Sequence, residues 1–299
     1  VPESNRRQAL LPTGAKPLKN DRGTAPGVLL VREEVVVAAM PGVPHEMKAM
    51  LKRLEPELPV WFPEARPPHR AQLAVAGIGE SRMQDVLGDL LDGDRPRMGI
   101  TAHETGHLLI TAEGSKSAVT KRMAAIRRLC KGRVLQQPDI AAELVLQFAQ
   151  RGYVLTTAES CTSGHVVARI GAIPGASAVL HQALTTYHDD AKQSLVQVPA
   201  PVLKRHGAVS QQVVEAMAQG ALSVSGADVA IATSGIAGPD GGSRAKPVGT
   251  VWIAVADKRG VVSERHQLQG TRTRIQARAA SHALILAWRY ICSGEVFSA

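Results

Sequence analysis

Ten residues near the middle of the chain, TTAESCTSGH (156–165), set four different reactive side chains side by side: Glu159, Ser160, Cys161 and Thr162. A short apolar run, YVL, comes just before them. A strand that turns tightly into a helix presents such side chains at its carboxyl edge. It also leaves the first amide N–H groups of the helix free for an anion or a developing oxyanion. Ser160 or Cys161 in that position is placed to act as a nucleophile. The plainer reading is that Glu159, Ser160 or Thr162 caps the helix, and taken alone the stretch favours the cap.

Two further stretches shift the weight. TTYHDDAKQSL (185–195) carries Tyr187 and Lys192, five apart, where a strand-like run passes into a short helix. A lysine serves as a general base only when burial or neighbouring positive charge depresses its pKa. The alternative is a surface Lys192 paired with Asp189 or Asp190. TSGIAGPDGGSRAKPVGT (233–250) holds five glycines and two prolines between two apolar strands. Glycine after a strand lets backbone N–H groups come close to a phosphate, and a long loop inside a compact domain is more often functional than idle. The spacing matches neither a Walker nor a Rossmann fingerprint.

The elements that hold these stretches read as alternating strands and helices. PDIAAELVLQFAQRG (138–152) has helical period, with Pro138 at its start and Gly152 at its end. YVLTTA, HQALTTY, DVAIATSG, GTVWIAVAD and VVSERHQLQ read as strands. QQVVEAMAQGALSVSG and the segment 271–292 read as helices. Residues 138–299 are therefore expected to form an α/β layered domain. Residues 66–137 read as a small α+β unit, with strands at AQLAVAGI and HLLITAEG, a helix at SRMQDVLGDLL opened by a Ser81–Gln84 capping box, and a basic helix over 116–133. Residues 1–65 are rich in Pro and Gly, with a strand from Val35 to Met40, a helix from His45 to Leu54, and a proline-bearing linker at 61–69.

Composition bounds the function. The chain has 299 residues, 44% hydrophobic and 20% charged, with a net charge of +9. The three segments carry +1, +5 and +3, so the excess is concentrated in the middle one. A basic segment can bind nucleic acid or anionic metabolites, but the basic residues of 116–133 alternate with Val119, Met123, Ile126 and Leu129 at helical spacing and read as a solvated face. No run is long and apolar enough for a membrane span, and the amino end has no signal-type core. Cys130, Cys161 and Cys292 form neither a CxxC nor an even disulfide framework, so reduced thiols in a cytoplasmic protein are expected. No zinc-site spacing is present, and neither a metal nor a cofactor is expected. The chain lacks an initiator Met and opens in mid-pattern, which we read as a piece of a longer protein.

Five blocks, TTAESCTSG, TTYHDDAK, HGAVS (206–210), SGIAGPDGG and KPVGTVW, stand in the order and separation of the carboxyl-terminal domain of the CinA family, which they resemble over 138–299. Residues 5–27 and MPGVPHEMKAM resemble the second half of the family's molybdopterin-binding-like domain, and GIGES (77–81) with LLITAEG its KH-like middle domain. The resemblance implies an amidohydrolase that converts nicotinamide mononucleotide to nicotinate mononucleotide and ammonia. It implies Ser160 as nucleophile, with Tyr187 and Lys192 as activating partners. Glu159, Cys161 and Thr162 would flank the substrate. Thr233 and the loop carrying Gly235, Gly238, Gly241 and Gly242 would take the ribose-phosphate end, and Arg272, which matches a family arginine, would pair with phosphate. The family's amino-terminal Gly-rich motif is missing, so no ADP-ribose pyrophosphatase activity is expected, and residues 1–65 are expected to be loosely held or to rely on a partner.

The sequence departs from the family at Ser163, where glycine is usual, at Thr271, where Asp is usual, and at Gln276, where Arg is common. Arg274 and Arg278 are the nearby arginines that could substitute. Two rival readings stand beside the serine amidase. One is a Cys161-based amidase using Glu159 and Lys192. The other is a non-catalytic nucleic-acid-binding competence accessory protein. Residues 66–137 have no GXXG loop and no aromatics for base stacking, which argues against nucleic acid. The expected partner is the small-molecule substrate, in a homo-oligomer away from membranes.

Overall fold

The carboxyl half of the chain is organised by a sheet whose two faces differ in side-chain size, and the elements before it form two smaller sheets. A computed structural model describes residues 10–33, 35–103 and 105–293. The chain divides between Pro67 and Pro68 into two units.

In the first unit, β1 (Lys16–Leu18), β2 (Gly27–Arg32) and β3 (Val35–Ala39) make an antiparallel sheet in that order. Helices α1 (Pro44–Leu54) and α2 (Leu58–Trp61) follow. Pro44 opens α1, where its missing N–H costs nothing. Strands β1 and β2 were not legible in the sequence: GVLLVR is a continuous apolar run without the period of a half-buried strand.

The second unit begins with β4 (His69–Val75), α3 (Glu80–Leu87), β5 (Arg97–Ala102), β6 (Leu108–Gly114) and α4 (Lys116–Leu129), with the strands antiparallel in the order β4-β6-β5. The expected Ser81 capping box is not formed. Gly79, already extended, is the N-cap of α3 with no side-chain bond, and Ser81 lies inside the first turn. Strand β5 was missed because Gly99 interrupts its pattern. A Cβ there would stand 2.9 Å from Thr111 Oγ1, so any larger residue would have to displace the Thr111 side chain on the neighbouring strand. Helix α4 buries Val119 and Ile126 and exposes Arg127 and Arg128, the arrangement of a solvated basic face.

Then come α5 (Ile140–Arg151), β7 (Leu155–Glu159), α6 (His165–Gly171), β8 (Leu180–Thr185), α7 (Asp189–Val196), α8 (Ala200–His206), α9 (Gln211–Ser225), β9 (Val229–Gly235), β10 (Thr250–Asp257), β11 (Gly260–Gln267) and α10 (Arg272–Trp288). Asp139 Oδ1 caps α5 at the N–H groups of Ala141 (2.8 Å) and Ala142 (3.4 Å), and Gly152, at φ +66°, ends it. The five strands order as β11-β10-β9-β7-β8. Strand β7 is parallel to both β8 and β9, and β10 and β11 are antiparallel additions at one edge.

The period of two decides the layers. On one face Leu155, Val229, Ile231, Val251, Ile253 and Val255 pack with α5, α6 and α10. On the other face Ala158, Ala230, Ala232, Ala254 and Ala256 pack with Val213, Val214, Met217 and Ala218 of α9. Small residues on that second face let α9 lie close to the sheet. Ala74, Ala76 and Leu135 join the first of these clusters, so the segments before and after residue 137 share one core.

Candidate active site

Strands β7, β8 and β9 are mutually parallel, so their carboxyl ends emerge on the same side of the sheet. In open α/β sheets that edge is where ligands bind. A cleft of about 280 Å³ opens there, lined by Ser160 from the end of β7, Tyr187 and Lys192 from the region after β8, and Gly235 to Gly241 after β9. The topology thus gathers three stretches that lie far apart in sequence.

Ser160 and its neighbours divide the two roles that the turn could play. Ser160 N donates to Thr233 O at 3.0 Å, fixing the backbone to β9. Ser160 Oγ has no protein partner among the described residues, while the side chain lines the cleft and is 8% exposed. The capping role falls to Glu159. Its Oε2 accepts from Thr162 Oγ1 (2.7 Å), Gly164 N (2.9 Å) and Val166 N (3.1 Å), and its Oε1 from Val167 N (2.9 Å). Gly164, the N-cap of α6, supplies no side chain, so a carboxyl reaching back from β7 satisfies the helix's free donors. Thr162 Oγ1 also meets Thr233 Oγ1 at 2.7 Å. Glu159, Thr162 and Thr233 are buried beneath the cleft and do not line it.

The turn is held by left-handed backbone. Ser163 has φ +50° and Gly164 φ +91°, so the position where the family carries glycine keeps a glycine-like conformation here with serine in it. Gln276 Nε2 donates to Cys161 O at 2.9 Å and is buried, tying α10 to the turn. Thr271 caps α10, its Oγ1 accepting from Arg274 N at 3.4 Å. The amides of Cys161 and Thr162 donate to no protein acceptor among the described residues. Cys161 itself is 6% exposed, and burial, reinforced by the Glu159 carboxyl, pushes its thiol up to about 12.

Lys192 is 2% exposed, which is unusual for a lysine. Its Nζ donates to Tyr187 O (3.2 Å) and Asp189 Oδ1 (3.1 Å). The pairing with Asp189 is the one the sequence suggested, but it holds a buried amine at the cleft and not a surface charge. The Tyr187 phenol points elsewhere: Arg272 Nη2 donates to it at 2.6 Å, while Arg272 Nη1 donates to Gly238 O at 2.7 Å. Arg272 therefore braces the Gly-rich loop against the tyrosine. In that loop the amides of Ala237, Gly238, Asp240, Gly241 and Gly242 have no protein acceptor among the described residues. Gly235, Gly238 and Gly241 line the cleft, whereas Gly242 does not. A Cβ on Gly242 would stand 2.8 Å from Val248 N. Sequence reasoning did not single out Asp240 or Ser234 as lining residues. Only the fold of the loop brings them there. Arg274 and Arg278 line a different cleft.

Known proteins show the same arrangement of segments. The family model of the CinA C-terminal domain matches residues 137–291, and that of the damage-inducible protein CinA KH domain matches residues 70–136. A protein of Symbiobacterium thermophilum described as competence-damage inducible is 39% identical over 97% of this chain and 73% of its own length. A CinA-like protein of Geobacter sp. is 38% identical over 91% of this chain and 67% of its own length. Among solved structures, the competence/damage inducible protein CihA of Agrobacterium tumefaciens aligns over 52% of this chain and 94% of its own, with 37% identity and a TM-score of 0.50. With a family model across half the chain and relatives at this identity across nearly all of it, the chain belongs to the CinA family.

Proposed function

We propose that the chain is an amidohydrolase that takes the carboxamide of nicotinamide mononucleotide to the carboxylate, releasing ammonia. The observation that carries this reading is a serine hydroxyl without a protein partner, in one cleft with a buried lysine amine and a loop of unpaired amides. Ser160 Oγ attacks the carboxamide carbon while Lys192 Nζ accepts its proton. The oxygen of the tetrahedral intermediate lies against the free amides of Cys161 and Thr162. Lys192 returns the proton to the leaving amine, which departs as ammonia. Water then attacks the Ser160 ester, Lys192 accepts the water's proton and passes it back to Ser160 Oγ, and the nicotinate product leaves.

Asp189 and the Tyr187 carbonyl hold the amine at the cleft. The amides of Ala237, Gly238, Asp240 and Gly241, in the loop braced by Arg272, suit the phosphate. The Tyr187 phenol, bonded to Arg272, serves the wall of the cleft in this scheme and not the proton path. The experiment is ammonia release by the purified chain from nicotinamide mononucleotide and from free nicotinamide. Release from the nucleotide alone is expected. Equal turnover of free nicotinamide removes the phosphate part of the reading, and no release from either removes the whole.

A further inference from the structure

The motif GIGES (77–81) has no part in the Ser160 cleft, but it opens a second one of about 900 Å³. The two clefts share no lining residue. One wall is the amino end of α3. Gly79 caps it without a side chain, and the N–H groups of Glu80, Ser81 and Arg82 have no acceptor among the described residues. The facing wall is α10, where Arg274 and Arg278 occupy successive turns. Neither guanidinium has an acidic partner among the described residues: Arg278 Nη1 reaches only Gln269 O, at 3.4 Å. Arg289, deeper in the cleft, is tied to Glu264 at 2.9 Å.

The third wall is made by His103, Gly106 and His107, between β5 and β6. His103 and His107 stack there with ring centroids 4.6 Å apart. Thr105 Oγ1 lies 2.7 Å from His103 Nδ1 and 3.0 Å from His107 Nδ1. His107 is 1% exposed, lines the cleft, and its Nε2 has no partner among the described residues. A buried ring nitrogen left unpaired is costly, so a site that supplies its partner is the economical explanation. The walls are fixed to one another. Arg169 Nη1 donates to Ser281 Oγ at 2.8 Å and its Nη2 to Thr105 O at 3.4 Å. Gly106, at φ +94°, seats the loop on α10, and a Cβ there would stand 2.9 Å from Ser281 Cβ.

We propose that this cleft is a second ligand site, for a small phosphorylated anion, held by Arg274 and Arg278, by His107 Nε2 and by the amino end of α3. Uncapped helix amides beside glycines suit phosphate oxygens, and two unpaired guanidinium forks suit a ligand with more than one negative charge. In the tautomer in which His103 Nδ1–H donates to Thr105 Oγ1 and Thr105 donates to His107 Nδ1, the Nε2–H of His107 donates a hydrogen bond to a phosphate oxygen. Glu80 on the rim is the one opposing carboxylate without a basic partner among the described residues. The volume fits the range of pockets that enclose small molecules. The lining has no Phe, Tyr or Trp on which successive bases of a nucleic acid would stack.

Calorimetric titration of the whole chain with inorganic pyrophosphate at low salt tests this. Saturable binding is expected. Arg274→Ala/Arg278→Ala, which alters two exposed side chains, should weaken it by about tenfold or more, as loss of charge-assisted bonds does. His107→Gln should also weaken it, Glu80→Gln should tighten it, and the part of the binding that depends on Arg274 and Arg278 should persist when nicotinamide mononucleotide occupies the other cleft. The site is refuted by the absence of saturable binding, or by a double variant that folds and binds as the wild type does. It is also refuted by binding that nicotinamide mononucleotide wholly displaces, or by a single-stranded oligonucleotide that needs Arg274 and Arg278 and that pyrophosphate fails to displace. Ammonia release is not the readout, so failure here leaves the deamidase reading untouched.

Discussion

Ser160 and Cys161 are neighbours on one turn, yet they meet different surroundings. Both line the cleft, but the hydroxyl has no protein partner among the described residues, while burial pushes the titration of the thiol up to about 12. A thiol so placed stays protonated at neutral pH and is a poor nucleophile. Ser160→Ala is therefore expected to lower ammonia release by up to about six orders of magnitude, the scale on which removal of a serine nucleophile acts. Cys161→Ala should keep most of the rate, and thiol alkylation should fail to inhibit except by bulk. A dead Cys161→Ala with an active Ser160→Ala would reverse the assignment. Lys192→Arg should also remove nearly all activity with the fold intact, because guanidinium does not give up its proton, and circular dichroism beside the rate measurement separates that from unfolding. At this scale the sequence made Ser160 and Lys192 visible through residue type and order. It did not reveal that Glu159 is the helix cap. That depends on left-handed backbone at Ser163 and Gly164, which brings the amides of residues 164, 166 and 167 back onto the carboxyl.

Elements carry the lysine to the cleft, and one glycine shows how narrowly. Gly220 lies inside α9, where alanine would ordinarily stabilise a helix by about 1 kcal/mol. Here a Cβ would stand 1.7 Å from the carbonyl oxygen of Val196, the last residue of α7. The obstacle is backbone, so it yields only if α7 itself moves, and α7 carries Lys192. Gly220→Ala is expected to cost about 1–3 kcal/mol, as overpacking does, and to lower the rate of ammonia release beyond any loss of folded protein. Urea denaturation and kinetics on the folded fraction check both, and a more stable, fully active variant would sink the argument. The sequence predicted α9 correctly from its period but gave no reason for a glycine within it. The strands were more legible: DVAIATSG and TVWIAVAD alternate branched residues with alanine, and that alternation is the two-faced sheet itself. Strand β5 and the first two strands, β1 and β2, were not legible, because Gly99 in β5 and an unbroken apolar run in β2 conceal the period that defines a strand, whereas β3 was expected at Val35 to Met40.

Over the whole molecule, stability is unevenly distributed. In the second unit, burial, then the neighbouring His266 and Arg278, pushes His282 from 6.5 down to about 4. The folded protein binds fewer protons at this site than the unfolded chain does between those values. Stability is thus full above about pH 6.5 and falls as the pH drops toward 4, by at most about 1.4 kcal/mol per pH unit for one proton. His282→Phe should flatten this part of the pH dependence in urea denaturation. An unchanged slope would show that His282 titrates normally. The last contrast is between the two units. The three apolar clusters of the described residues draw only on positions from 73 to 291. Among the described residues before Pro68, the buried hydrophobic side chains are Met50 and Leu54, while Val31, Val35, Val37, Leu51 and Val60 are exposed. A segment of that length with so little buried apolar area falls short of the entropy cost of ordering it. Residues 68–299 produced alone should therefore melt within about 3 °C of the full chain, a shift on the order of 1 kcal/mol for a unit of this size, and should keep its ammonia release. Residues 1–67 alone should show no cooperative transition, and limited proteolysis of the full chain should cut among them first. A cooperative melt of residues 1–67, or a large loss of stability in residues 68–299, would mean that the apolar side chains of the first unit contribute more to folding than their exposure implies.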